Sequence, residues 1–202
     1  MRFLSLLFAL SFPFLSYSVP LRQSPALDTS SSPPAAQKIS LPGISNAGKV
    51  SDHLFRGAQP HLSGLAELKK LGITTIVDLR GEFPHTRDQE RLQAESLGIH
   101  FVFLPVGGFS TPSSAQLAEF FALLREVPPQ KIFVHCEFGE DRTGVFIASY
   151  RIAFDHWSSD QALSEMLAFG FHRSWHPSMV SFVRALPGRL HSDPLLKSAL
   201  AN

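Results

Sequence analysis

The chain has 202 residues, of which 44% are hydrophobic, and a formal net charge of +1. That is enough apolar material for one sizeable core, and the near-neutral balance excludes a basic nucleic-acid binder and an acidic tail. One domain is expected, with no nucleic-acid partner.

Met1-Arg2-Phe3 and the apolar run through Leu15 read as a secretory signal peptide, followed by the small residues Ser16 and Ser18. The run is short and Pro13 breaks it, so no stable membrane span is expected once residues 1–18 are removed. The protein is therefore expected in the periplasm or outside the cell. Export makes the cysteine usage informative, because Cys136 is the only Cys of the chain and has no intramolecular disulfide partner. Residues 19–49, rich in Pro, Ser, Ala and Gly, read as a flexible tether.

The folded domain is expected over residues 50–190, with 191–202 as a C-terminal tail. His53 to Arg56 reads as a short strand, with Gly57-Ala58-Gln59-Pro60 as the turn that leaves it. Leu62, Leu65, Leu68 and Leu71 are spaced for one face of a helix that Gly72 stops, and Ile73 to Leu79 is a β-branched run suited to a central strand. A charged helix over Arg87 to Leu97 is expected to present its charges to solvent. His100 to Pro105 reads as a strand and Ser113 to Glu126 as an amphipathic helix that Pro128-Pro129 ends. The apolar run Lys131 to Val134 is a strand, and a helix opens near Arg142 and runs to His156, burying Val145, Ile147, Ala148, Ile152 and Ala153. Two further helices, Ser159 to Phe169 and Pro177 to Leu186, have Gly170 and Pro187 as stops. Alternating strands and helices predict an α/β fold with a central, mainly parallel sheet flanked by helices.

Between the strand ending at Cys136 and the helix opening at Arg142, the chain must form a tight loop whose amides converge above a helix N-terminus, an anion site. Such a setting, with a guanidinium nearby, takes a Cys thiol from about 8.5 to roughly 3.5–7.5, where the thiolate is a nucleophile. Arg142 offers a planar fork that fits two phosphate oxygens. Gly139 lets the loop turn with positive φ. Thr143 is placed to donate its hydroxyl to the Cys136 sulfur, and His135 to hold the loop through hydrogen bonds.

His135-Cys136-Glu137-Phe138-Gly139-Glu140-Asp141-Arg142-Thr143 resembles the signature H-C-x-x-G-x-x-R-[ST] of the cysteine-dependent phosphatases. With the FRGAQP and VDLR segments before it, the resemblance covers roughly Asp52 to His172 and is to the compact dual-specificity phosphatases, in particular the atypical branch of plants, fungi and bacteria. It implies a dual-specificity-phosphatase-like fold with a Cys-x5-Arg phosphate-binding loop. It also implies a phosphomonoester phosphatase that works through a phosphocysteine, with Cys136, Arg142, Asp141 and Thr143 catalytic and with His135, Glu137, Phe138, Gly139, Glu140 and Arg142 around the substrate. No metal and no cofactor are expected, since the nine His residues form no ligand spacing.

The family's general acid, an Asp in the loop before the Cys strand, has no counterpart here, because Pro105 to Pro112 contains no carboxylate. Asp141, in an Asp-Arg-Thr arrangement that resembles that of the myotubularin-like phosphatases, is the first candidate. Glu82 or Asp88 is another, and an enzyme without a side-chain acid a third. The substrate is read as a phosphoprotein, phosphotyrosine above all, or a phosphorylated small molecule such as an inositol phosphate. Glu137, Glu140 and Asp141 disfavour a densely anionic ligand, whereas Arg56, Arg80, His85, Arg87, His172, Arg173 and His176 are candidates to line the mouth. A phosphate-recognition module without turnover and a thiol-based sulfurtransferase remain as alternatives.

Overall fold

The structure is a computed structural model that describes residues 32–201. The signal-peptide segment and the start of the expected tether lie outside the described residues. The elements, in order, are β1 (Gln37–Lys38), β2 (Gly48–Lys49), β3 (Leu54–Gly57), α1 (Leu62–Lys70), β4 (Thr75–Arg80), α2 (Pro84–Ser96), β5 (His100–Val106), α3 (Ser114–Leu124), β6 (Ile132–His135), α4 (Asp141–Ala153), α5 (Ser159–Ala168), α6 (Pro177–Ser192) and α7 (Pro194–Ala201).

One six-stranded sheet has the order β1-β2-β3-β6-β4-β5. Strands β3, β6, β4 and β5 are parallel, while β1 and β2 add antiparallel at one edge. The sheet is covered on both faces, as a parallel sheet must be. Alternate residues of each strand point to opposite sides: Leu54, Val77, Ile132 and Val134 join the core beneath α3, α4, α5 and α6, whereas Phe55, Ile76 and Phe133 join the core beneath α1 and α2. Gly57 and Asp78 both pair with His135, so the C-terminal ends of β3, β4 and β6 lie level where the Cys loop begins. Ligands bind at that end of a parallel sheet.

Four expectations need correction. The tether read over 19–49 becomes part of the fold by Gln37, because β1 and β2 hydrogen-bond onto the edge beside β3. Strands of two residues are too short to show a period. The tail read over 191–202 is helical, and Leu196 of α7 is fully buried in the larger core. Pro187 does not stop its helix but lies inside α6. A proline removes the N–H that would serve the carbonyl four residues back; here that carbonyl, Val183 O, accepts from Ser159 Oγ at 3.0 Å instead. Finally, α4 buries more than one face, since every residue from Arg142 to Ile152 except Tyr150 is buried. It runs through the middle of the larger core, with α5 and α6 packed on it. Among the described residues no helix is long and apolar enough to cross a membrane.

Candidate active site

Cys136 follows β6 directly, and α4 starts at Asp141, so the loop from Cys136 to Glu140 is as short as the residue pattern requires. Cys136 is 3% exposed at the floor of a cleft of about 440 Å³. Arg142 lies on the same cleft. Phe109, Phe138 and Trp175 form its rim and stay largely exposed, at 74%, 61% and 67%.

Three contacts hold the loop from outside the signature. Arg56, fully buried below it, donates from Nη2 to Gly139 O at 2.8 Å and lies 4.0 Å over the ring of Phe169. Burial takes its pKa down to about 10, while the charges of Glu165 and Cys136 act in the other direction. Asn46, in the segment read as tether, donates from Nδ2 to the carbonyls of Phe138, Gly139 and Phe169. Its φ of 50° is the left-handed conformation that Asn tolerates better than most residues. Gln59 N donates to Glu137 O at 3.1 Å.

His135 lies below the loop, in contact with the Cys136 carbonyl, and does not line the cleft. Its Nδ1 is 3.1 Å from the Cys136 carbonyl and its Nε2 is 2.9 Å from Glu90 Oε1. Both neighbours are acceptors, and the Glu90 and Asp78 carboxylates close to Nε2 favour the charged ring. Burial favours the neutral ring, yet Glu90 and Asp78 override it and raise the pKa. Arg80 completes the group, donating to Asp78 at 2.9 and 2.8 Å and to Glu90 at 2.7 Å. Two carboxylates, a guanidinium and an imidazolium sum to zero charge, the condition for burying them together. Asp78, Glu90 and His135 offer atoms spaced as metal ligands are, and the cation between them is the guanidinium of Arg80. Arg56 and Arg80 therefore do not line the mouth, and Glu90 is the exception to the solvated face expected of α2.

This network makes a prediction. Glu90→Gln leaves Arg80 and His135 buried with one carboxylate between them, and should cost about 3–5 kcal/mol of stability. A raised folded-state pKa stabilises below the unfolded value, near 6.5 for His, and that stability is lost as pH rises through the folded value. Urea unfolding at a series of pH values should show this alkaline decline in the wild type and a flatter profile in the variant; equal profiles would remove His135 as its source.

Above the loop, Arg142 is clamped. Its Nη2 is 2.7 Å from Glu82 Oε1, and its Nη1 donates to Glu82 Oε2 at 2.9 Å and to Val106 O at 3.3 Å. Burial disfavours the Glu82 carboxylate, but the hydrogen bond and charge of Arg142 outweigh this and hold it below the usual carboxylate range. Glu82 is thus a clamp on the guanidinium, with both oxygens engaged. Asp88 pairs with Arg87 and does not line the cleft. Thr143 Oγ1 is buried without a hydrogen-bond partner among the described residues, so the expected contact with Cys136 is not made.

Asp141, the first residue of α4, accepts from His172 N at 3.0 Å through Oδ1, and its Oδ2 is 3.2 Å from His176 Nε2. Glu140 is 3.4 Å from His172 Nδ1, and burial, its leading influence, raises the pKa of its carboxyl. The segment after α5 therefore does reach the cleft: His172, Trp175 and His176 line it, with His172 stacked on Trp175 at 4.7 Å. His85, Arg87 and Arg173 do not line it.

This geometry agrees with sequence comparison, in which the family described as DSP-PTPase phosphatase fused to NAD+ kinase matches residues 42–180. The chain belongs to this phosphatase family. The dual specificity protein phosphatase TpbA of Pseudomonas aeruginosa (strain UCBPP-PA14) is 31% identical over 144 residues, which are 69% of this chain and 61% of TpbA. The chain thus spans about 61% of the length of that relative. A crystal structure of TpbA superposes with a TM-score of 0.65 at 27% identity, covering 85% of this chain and 99% of that one. A TpbA variant in complex with pTyr gives 0.66 at 24% identity over the same shares. The catalytic core of the PP-IP phosphatase SIW14 from S. cerevisiae, at 20% identity and TM-score 0.63 over 79% of this chain and 94% of that one, shares the fold. The mainly parallel α/β core expected of a dual-specificity phosphatase is the fold these structures share.

Proposed function

We propose that the protein is a cysteine-dependent phosphomonoester hydrolase that acts on aryl phosphates, phosphotyrosine in peptides above all, in preference to polyanionic inositol phosphates. The observation that carries this is the cleft itself: a buried thiol and a clamped guanidinium, with the exposed rings of Phe109, Phe138 and Trp175 around the opening. Apolar surface at that height suits a flat, uncharged leaving group. The carboxylates of Glu137, Glu140 and Asp141 on the same cleft repel a ligand that carries several phosphates.

In this reading the Cys136 thiolate attacks phosphorus in line with the leaving oxygen, and the loop amides and the Arg142 fork hold the equatorial oxygens as charge builds on them. Water then releases phosphate from the phosphocysteine. The solved complex of TpbA with pTyr supports the aryl phosphate. The SIW14 likeness makes the inositol phosphates the comparison to run. Export, supported by the composition of residues 1–18, belongs to the same proposal.

A panel of phosphotyrosine peptide, phosphoserine peptide and inositol hexakisphosphate tests this. The kcat/KM for the phosphotyrosine peptide should exceed that for inositol hexakisphosphate by at least about 100-fold, the factor that roughly 2.7 kcal/mol of differential transition-state binding supplies. A reversed ranking would assign the site to inositol phosphates.

A further inference from the structure

The stretch between β5 and α3, which borders the cleft through Gly108 and Phe109, contains no carboxylate. We infer that His176, held by Asp141, is the general acid that protonates the leaving oxygen; the inference rests on the phosphatase reading of the same site.

Three of the four carboxylates on the cleft are committed elsewhere; the fourth, Glu137, lies near enough to Arg142 for its charge to act on that guanidinium. Both oxygens of Glu82 bind Arg142. Glu140 packs its carboxyl against Gly170 and His172, where a Cβ added to Gly170 would come within 2.9 Å of Oε1. Asp141 uses one oxygen for the His172 amide and the other for His176. A carboxylate with each oxygen turned to an N–H donor in this way orients an imidazole well and protonates a substrate poorly.

His176 meets the complementary requirements. It precedes α6, is 5% exposed and lines the cleft that holds Cys136. With Nε2 turned to Asp141, Nδ1 is the nitrogen left to exchange a proton, and it is buried without a hydrogen-bond partner among the described residues. Such an atom costs free energy unless a ligand satisfies it. Phe109 lies on one side of the imidazole at 5.0 Å and Phe171 on another at 6.1 Å. The Phe109 ring is three-quarters exposed and follows Gly108, around which there is open space, so an entering leaving group has room to move it off the face of the imidazole. Phe109 belongs to the stretch between β5 and α3 that has no carboxylate, so the imidazole stands against the place where the family's acid is carried.

The steps balance. As the Cys136 sulfur bonds to phosphorus and the P–O bond to the leaving group breaks, the Nδ1 proton of the imidazolium passes to that oxygen, and Asp141 retains the Nε2 hydrogen bond. In the second step neutral Nδ1 takes a proton from water as the water oxygen bonds to phosphorus and the S–P bond breaks. Thiolate and imidazolium are restored. The charged and titratable groups around the ring are Asp141 from α4, Glu140 and His172 on either side of Asp141, and Glu82, Glu137, Cys136 and Arg142 across the cleft.

The test compares an alkyl phosphate with p-nitrophenyl phosphate, whose leaving group needs no proton. His176→Gln keeps an amide donor for Asp141 but cannot act as acid; kcat/KM, which reports the steps up to the phosphocysteine, should fall by about 10²–10⁴-fold on the alkyl phosphate and only a few-fold on the nitrophenyl ester. Asp141→Asn should show the same pattern with a smaller loss. Equal losses on the two substrates in His176→Gln would overturn the assignment, and so would a loss in Asp141→Asn or Glu140→Gln larger than that in His176→Gln. Should His176→Gln fail to fold, a shallow dependence of kcat/KM on leaving-group pKa in the wild type supports a side-chain acid, and a dependence that turns steep in Glu137→Gln or Glu140→Gln would assign the proton to that carboxylate and overturn the inference. A wild type that turns over neither ester, while Cys136→Ser behaves identically, would instead sink the phosphatase reading.

Discussion

Cys136→Ser should abolish turnover while leaving a folded protein that still binds phosphate or sulfate. The substitution removes the only sulfur nucleophile and leaves every contact that shapes the loop, since the holding bonds run through backbone carbonyls and not through the thiol. A serine hydroxyl at the same place is un-ionised and is a far weaker attacking group. For enzymes that depend on one nucleophile, its removal costs on the order of 10⁶ in kcat. The two guanidiniums that share the Cys136 charge, Arg56 and Arg142, then face an unneutralised cradle, which favours an anionic ligand. The check is hydrolysis of p-nitrophenyl phosphate alongside a thermal shift with sulfate. Residual activity within about tenfold of the wild type would overturn the covalent mechanism, and loss of the sulfate shift would mean that the loop had collapsed.

Gly139→Ala should cost nearly as much activity by a different route. Gly139 has φ +70°, and a Cβ there would lie 2.3 Å from Gly57 C, 2.4 Å from Gly57 O and 2.5 Å from Ala58 N. All three are backbone atoms at the end of β3, so no side-chain rotation relieves the overlap. The loop must shift, and with it the carbonyl that takes both Arg56 Nη2 and Asn46 Nδ2. A displacement near 1 Å in a catalytic constellation costs about 10²-fold in rate, and the left-handed conformation adds about 1–3 kcal/mol of strain. Kinetics and urea unfolding of the variant should show both effects. Gly108→Ala, where a Cβ meets nothing within 4 Å, is the control and should leave stability unchanged. If Gly139→Ala were as stable and as active as that control, the loop would be far more pliant than its packing implies.

The parts of the site that could be read in the sequence are those whose cause is local. An apolar strand, a glycine, an arginine six positions after a cysteine and an apolar helix stand next to one another in the chain, and the fold keeps them together. The parts that could not be read depend on partners far away in sequence. Glu90 resembles its neighbours on a charged helix, and only the ends of β4 and β6 turn it inward toward Arg80 and His135. Asn46 stands in a stretch without hydrophobic period, and its role appears only when Phe138, Gly139 and Phe169 converge on it. Pro187 is a reliable stop unless a hydroxyl from another helix serves the freed carbonyl, as Ser159 does. His172 and His176 formed a suggestive cluster, but nothing in their spacing reveals that Asp141 turns to meet them.

Asn46 joins the β1–β2 edge of the sheet to the floor of the cleft with a single side chain. Occupancy of the cradle and seating of that edge are therefore thermodynamically linked: an anion that tightens the loop strengthens the hold on the edge strand, and by reciprocity a cut or a binding partner that peels the edge away weakens affinity for the anion. A segment whose composition reads as slack thus becomes a handle by which events at the edge of the sheet reach the chemistry.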